Sequence, residues 1–400
     1  MPIEFGRDTL HEKIGAGGMA EVYRATSVGA GGFEKQFAIK RILDQHAEDG
    51  EFINMFMDEA RIAAALNHPN IAQVFEFDQH AGVWFLAMEY VAGRNLARVL
   101  KVARERDRRF GVGAALHVGM EVCKGLYAAH RAKDARGVAM GIIHRDISPQ
   151  NVQISFAGDV KILDFGVAKA RDKIVRTQAG TIRGKLIYMA PEQVRAKALD
   201  HRADLFSLGL VLYKALTGVH PFEADTELKV IEKIRLAEIA PPSSLVADLP
   251  PGLDDVVMRA LALDPADRHP NAADLHRELT RILHESDPGF TFASLSDYMV
   301  DLFGEELEPA VGATLAPTVG TPPVDSGSPR ESAPREREAS VRTVELGPPT
   351  PSFVVADSVG DRTEEEPSSA SVGRIGGLGK LLALCVFVGT VLGVVGAMGL

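Results

Sequence analysis

The chain has 400 residues and a formal charge of −10, yet residues 1–284 carry 37 basic and 37 acidic side chains, so the acidity lies behind them. Residues 285–304 contribute −4, residues 305–373 −8 and the last 27 residues +2. A charge-balanced body offers no field for a nucleic-acid backbone, and two distant cysteines, Cys123 and Cys385, exclude a disulfide framework and fit a reducing compartment.

The opening MPIEFGRDTL lacks the basic-then-apolar pattern of a secretory signal, which predicts a body that stays in the cytoplasm. Residues 9–40 alternate like paired strands around glycine turns, Glu51–Leu66 has helical periodicity, and Ile71–Val91 returns to strand-like runs such as VWFLAMEYV. After Leu96 the pattern is mostly helical. The expected class is α+β, with a small β-rich lobe at 9–91 and a larger helical lobe at 92–284 meeting at a cleft. Leu295, Tyr298, Met299, Leu302 and Phe303 then fall at helical spacing behind Ser294 and Ser296, either of which can cap, so 285–304 reads as a short amphipathic helix docked on the body.

Residues 305–373 hold ten of the 22 prolines and a single aromatic residue, Phe353. That is too little apolar surface to offset the entropy of ordering, and a disordered acidic linker is expected, with a mean span on the order of 45 Å. Leu381–Leu400 is a run of twenty uncharged residues behind Arg374 and Lys380, enough for one membrane-spanning helix with its basic flank, and hence the body, on the cytoplasmic side. Gly389, Gly393, Gly396 and Gly399 would weaken a soluble helix but are tolerated in a membrane. Cys385, Gly389, Gly393 and Ala397 share one face, and the Gly389–Gly393 pair allows a homodimer.

The chemistry-bearing residues lie in the body. IGAGGMAEVY, starting at Ile14, is a glycine-rich turn between two strands, where Gly15, Ala16, Gly17 and Gly18 let backbone amides approach phosphate oxygens; Ala20 stands where such a turn usually has a third glycine. Phe37-Ala38-Ile39-Lys40 ends an apolar strand in a lysine that needs a partner, and Glu59 in the following helix can supply it. IIHRDISPQN contains His144, Arg145, Asp146 and Asn151, Asp164-Phe165-Gly166 follows the apolar VKIL, and Ala190-Pro191-Glu192 comes after.

In this order and spacing the motifs resemble those of eukaryotic-type protein kinases, closest to the bacterial serine/threonine branch, over roughly residues 9–284. The resemblance implies a two-lobed kinase fold that transfers the γ-phosphate of Mg-ATP to protein hydroxyls. It assigns Lys40 to the α- and β-phosphates, Glu59 to holding Lys40, Asn151 and Asp164 to Mg2+, and Asp146 to orienting the incoming hydroxyl. Val22 and Ala38 would roof the adenine, and Met88 to Val91, with Glu89 and Val91, would meet its edge through backbone groups. Glu192 would pair with Arg268 and Asp204 would hold the catalytic loop, both as scaffold, while His68 and Cys123 read as packing residues. Arg145 before the catalytic aspartate implies an activation segment from Asp164 to Glu192 ordered by phosphate, with Thr177 and Thr181 as acceptors.

Two positions depart from the pattern. Ser148 stands where such kinases usually carry a lysine near the γ-phosphate, and Lys185 where they usually carry a threonine facing it, so the expectation is that Lys185 supplies the displaced cation. Gln153 occupies the place of an apolar floor beneath adenine, and a buried amide there needs partners.

Overall fold

Strands of alternating polar and apolar residues can bury one face only, and the first part of the chain does this in an antiparallel sheet. The computed structural model describes residues 2–165 and 186–311. Strands β1 (Ile3–Phe5), β2 (Asp8–Ala16), β3 (Ala20–Val28), β4 (Glu34–Ile42), β5 (Val74–His80) and β6 (Val83–Met88) form a six-stranded sheet in the order β1-β2-β3-β4-β6-β5. The sheet begins earlier than expected, because Ile3–Phe5 pairs with Asp8–Leu10 across a turn at Gly6, whose φ of 63° suits glycine.

On one face of the sheet Phe5, Leu10, Ala25, Phe37, Ile39, Phe85 and Ala87 pack together. The other face receives helix α1 (Gly50–Ala64), where Phe56 and Ala60 meet Ala38, Ile42, Leu86 and Met88. The aspartate before α1, Asp49, accepts the Glu51 amide and caps it.

The larger lobe is helical, as the pattern after Leu96 predicts. It contains α2 (Leu96–Glu105), α3 (Val112–His130), α4 (Pro191–Val194), α5 (Arg202–Thr217), α6 (Glu227–Leu236), α7 (Leu253–Ala260), α8 (Ala272–Ser286) and α9 (Phe292–Val311). Helices α3 and α5 are apolar nearly all round and form its centre. A second sheet, β7 (Gly93–Asn95), β8 (Val152–Ser155) and β9 (Val160–Ile162), lies at its edge.

The helix expected within 285–304 starts at Phe292 and continues to Val311, seven residues into the stretch read as linker. Leu295, Met299, Leu302 and Phe303 are fully buried, which explains the docking. Of the two serines, Ser294 caps the helix start, from the third helical position. Ser294 Oγ accepts the Thr291 amide, whereas Ser296 donates to the Phe156 carbonyl at 2.7 Å and fastens the helix to the lobe. Glu306 reinforces this through Arg94 at 2.7 Å and Arg98 at 3.4 Å. No helix among the described residues is long and apolar enough to cross a membrane, and 381–400 lies outside them.

Candidate active site

Lys40 sits where the sequence demands a partner. Strand β4 turns Ala38 inward and leaves the Lys40 side chain only 11% exposed. Its ammonium contacts Glu59 Oε1 of α1 at 2.6 Å and Asp164 Oδ1 of the larger lobe at 2.9 Å. Burial by itself would depress the Lys40 pKa, but the charges of Asp164 and Glu59 outweigh it and hold the group above its ordinary value. The ammonium is therefore a fixed cation linking a helix and a strand of the small lobe to the loop after β9.

The loop that carries His144, Arg145 and Asp146 is held by Asp204 at the start of α5. Its Oδ2 accepts the His144 amide and its Oδ1 the Arg145 amide, each at 2.8 Å, and His130 Nε2 lies 2.7 Å from Oδ2. Burial would raise this carboxyl, but the bond to His130, the charges of the histidines and the amide bonds bring it below the usual range. Arg145 and Asp164 have φ of 66° and 48°, left-handed values that cost about 1–3 kcal/mol each when a side chain is present. The Asp204 bonds hold the first. Around the second, Phe165 is buried against the His144 ring with centroids 4.6 Å apart, and His144 Nε2 lies 3.0 Å from the Leu163 carbonyl.

Asn151 joins the two acidic residues of the site. Its Nδ2 donates to the Asp146 carbonyl at 2.8 Å and to Asp146 Oδ2 at 2.9 Å, while its own backbone carbonyl accepts the Leu163 amide at 2.8 Å, next to Asp164. With both amide hydrogens used, Asn151 Oδ1 has no partner among the described residues. This oxygen and the Asp164 carboxylate are hard donors of the kind that Mg2+ takes.

The remaining expected residues surround the same cleft. Ile14, Gly15 and Ala16 end β2, Gly17 and Gly18 form the turn with the Gly17 amide on the Ala20 carbonyl, and Val22 pairs in register with Lys40. Ala38 pairs with Met88 and packs with Val22 against it. The connection after Met88 is braced by Glu89, which meets Lys161 of β9 at 2.9 Å; Lys161 in turn donates to the Pro69 carbonyl. Gln153 finds a partner in the protein, donating from Nε2 to the Val91 carbonyl at 3.2 Å. Ser148 is buried, and its carbonyl accepts the Asn151 amide. Lys185, Thr177 and Thr181 lie outside the described residues.

Glu192 and Arg268 form the expected scaffold pair, two parallel bonds of 2.7 and 2.9 Å with Arg268 stacked on Phe206. His68 accepts the Asn70 amide and Cys123 is buried without a disulfide, in keeping with packing roles. Sequence reasoning missed His130, Lys161 and the Lys40–Asp164 contact. A histidine ending an apolar helix was the only hint of the first. A concave surface of about 710 Å³ beside Arg108, Val112, Phe290 and Tyr298 contains none of these residues.

The family model described as "Protein kinase domain" matches residues 9–278. Among curated proteins, the chain is 40% identical over 302 residues to tyrosine-protein kinase MasK of Myxococcus xanthus, covering 76% of this chain and 47% of that one. It is 35% identical over 287 residues to serine/threonine-protein kinase PknB of Mycobacterium leprae, covering 70% and 44%. The chain thus spans about half the length of these relatives. Among solved structures, the Mycobacterium tuberculosis PknI kinase domain (C20A mutant) superposes with a TM-score of 0.52 at 28% identity, over 70% of this chain and 96% of that one.

Proposed function

Because the chain belongs to the protein kinase family, we propose that it transfers the γ-phosphate of Mg-ATP to serine and threonine hydroxyls of proteins, itself included. The observation that carries this is the double engagement of Lys40 by Glu59 and Asp164, which presents a fixed ammonium beside an oxygen-rich pair in one cleft. Phosphoryl transfer needs positioning and charge neutralisation more than covalent chemistry from the protein. Lys40 serves the nonreacting phosphates. Asp146, oriented by Asn151, accepts the hydrogen bond of the acceptor hydroxyl and aligns it. Mg2+ held by Asn151 and Asp164 would neutralise charge on the phosphates. A scaffold without catalysis has no need for this set together.

The relative named as a tyrosine-protein kinase supports a second reading, in which the acceptor is tyrosine. Phosphoamino-acid analysis after incubation of the full chain with labelled ATP and Mg2+ separates the two. Phosphoserine and phosphothreonine support the first reading, and phosphotyrosine alone overturns it.

Lys185 supplies the cation that Ser148 does not. Thr177 and Thr181 are the activating phosphorylation sites; Arg145, whose buried Nε has no partner among the described residues, is ready to receive a phosphate. Leu381–Leu400 anchors the chain in the inner membrane through the linker, with the kinase body in the cytoplasm and a Gly389–Gly393 face suited to dimerisation.

A further inference from the structure

Strand β8 alternates in burial: Val152 and Ile154 are fully buried in the larger lobe, whereas Gln153 between them is only partly buried. Gln153 pairs in register with Asn95 of β7, directly after the connection between the lobes, and its Nε2 reaches back to the Val91 carbonyl at 3.2 Å. The Glu89 amide is used by the Gln73 carbonyl. The Glu89 carbonyl and the Val91 amide make no hydrogen bond among the described residues. This connection therefore offers one acceptor and one donor, and its next acceptor is capped by a side chain of the protein.

That pattern has consequences for a purine. Adenine presents one amino donor and, at the adjacent ring nitrogen, one acceptor, which match the Glu89 carbonyl and the Val91 amide. A purine with a second amino group at C2 presents a further donor beside that ring nitrogen. Its natural partner would be the carbonyl of the residue whose amide is already engaged, Val91, and this is the group that Gln153 occupies.

We propose that Gln153 is a specificity-determining residue for the nucleotide base, excluding 2-amino purines by capping the Val91 carbonyl. This rests on reading the cleft as the ATP site. A donor brought against this carbonyl competes with the Gln153 amide for its lone pairs and for the space in front of it, and a poorly paired buried donor is costly. An apolar side chain at position 153 leaves the carbonyl open.

The test is calorimetric binding of the β,γ-imido analogues of ATP and of 2-amino-ATP to the full-length wild type, Gln153→Leu and Gln153→Met, in the presence of Mg2+. The quantity read is the ratio of the two dissociation constants within each protein, which a general change in the folded fraction does not move. The ratio of 2-amino-ATP analogue to ATP analogue should fall about fivefold or more in both variants, the worth of one net hydrogen bond. An unchanged ratio in both variants overturns the proposal while leaving the kinase reading intact. So does loss of ATP-analogue binding by both variants, since Gln153 would then support the base rather than select it. Failure of the wild type to bind either analogue overturns the kinase reading and the proposal with it.

Discussion

Removing the carboxylate of Glu192 should unfold the larger lobe at much lower denaturant. All five N–H groups of Arg268 are engaged: Nε by the Ala262 carbonyl, Nη1 by Glu192 and the Arg202 carbonyl, Nη2 by Glu192 and the Leu263 carbonyl. The arginine side chain has no exposure and that of Glu192 has 7%. Glu192→Ala strands a buried guanidinium, and breaking one side of such a pair costs about 3–5 kcal/mol. Arg268→Met should cost at least as much, because it strands the carboxylate and also releases three carbonyls. Since the two replacements remove the same pair, a double variant should be less destabilised than the sum by roughly 2 kcal/mol or more. Urea unfolding of the full chain, followed by far-ultraviolet circular dichroism of its helices, gives the midpoint and slope for each. A Glu192→Ala midpoint within about 1 kcal/mol of wild type, at unchanged slope, refutes the reading of Glu192 and Arg268 as the buried scaffold pair of the larger lobe.

Other consequences follow from single groups. Burial, with Lys214 and Lys233 nearby, depresses the His220 pKa to about 3, so the unfolded chain binds a proton that the folded one refuses between that value and the ordinary 6.5. Stability should rise with pH through this window, and at pH 5 His220 should cost about 2 kcal/mol, a penalty that His220→Asn removes when unfolding is compared at pH 5 and pH 7.5. A Cβ at Gly158, whose φ is 90°, would lie 2.1 Å from the Phe292 carbonyl. Gly158→Ala should loosen the seat of α9 and speed limited proteolysis between residues 287 and 311. Lys185→Met should lower phosphotransfer by roughly 100-fold or more while ATP binding persists, the loss typical when a charge-stabilising donor is removed; a near-normal rate contradicts its assignment.

Most of the site was legible because its parts are short and chemically constrained. A lysine ending the strand Phe37–Lys40 calls for a carboxylate, and the helix with Glu59 at suitable phase supplies one. The spacing of Asp146 and Asn151 places both on one loop, where they bond directly. What was illegible depends on packing between distant segments. Nothing local to Lys161 says that it spans from Glu89 to Pro69, and nothing local to His130 says that it meets Asp204, 74 residues later. The end of α9 was misplaced because acidic residues from Glu305 onward resemble a solvated tail, yet Glu306 is held by Arg94 and Arg98. Gln153 shows the same limit from the other side: its need for a partner was readable, but the Val91 carbonyl was not.

Lys40, Asp146, Asn151 and Asp164 are proposed as one working phosphotransfer centre. Incubating the full-length wild type and Asp164→Ala with γ-labelled ATP, Mg2+ and a generic protein substrate tests it most directly. Wild type should label both itself and the substrate, and the variant should lose at least 100-fold of that label, as expected when electrostatic stabilisation of the transition state is removed. Absence of label with wild type, or equal label with both proteins, would contradict it.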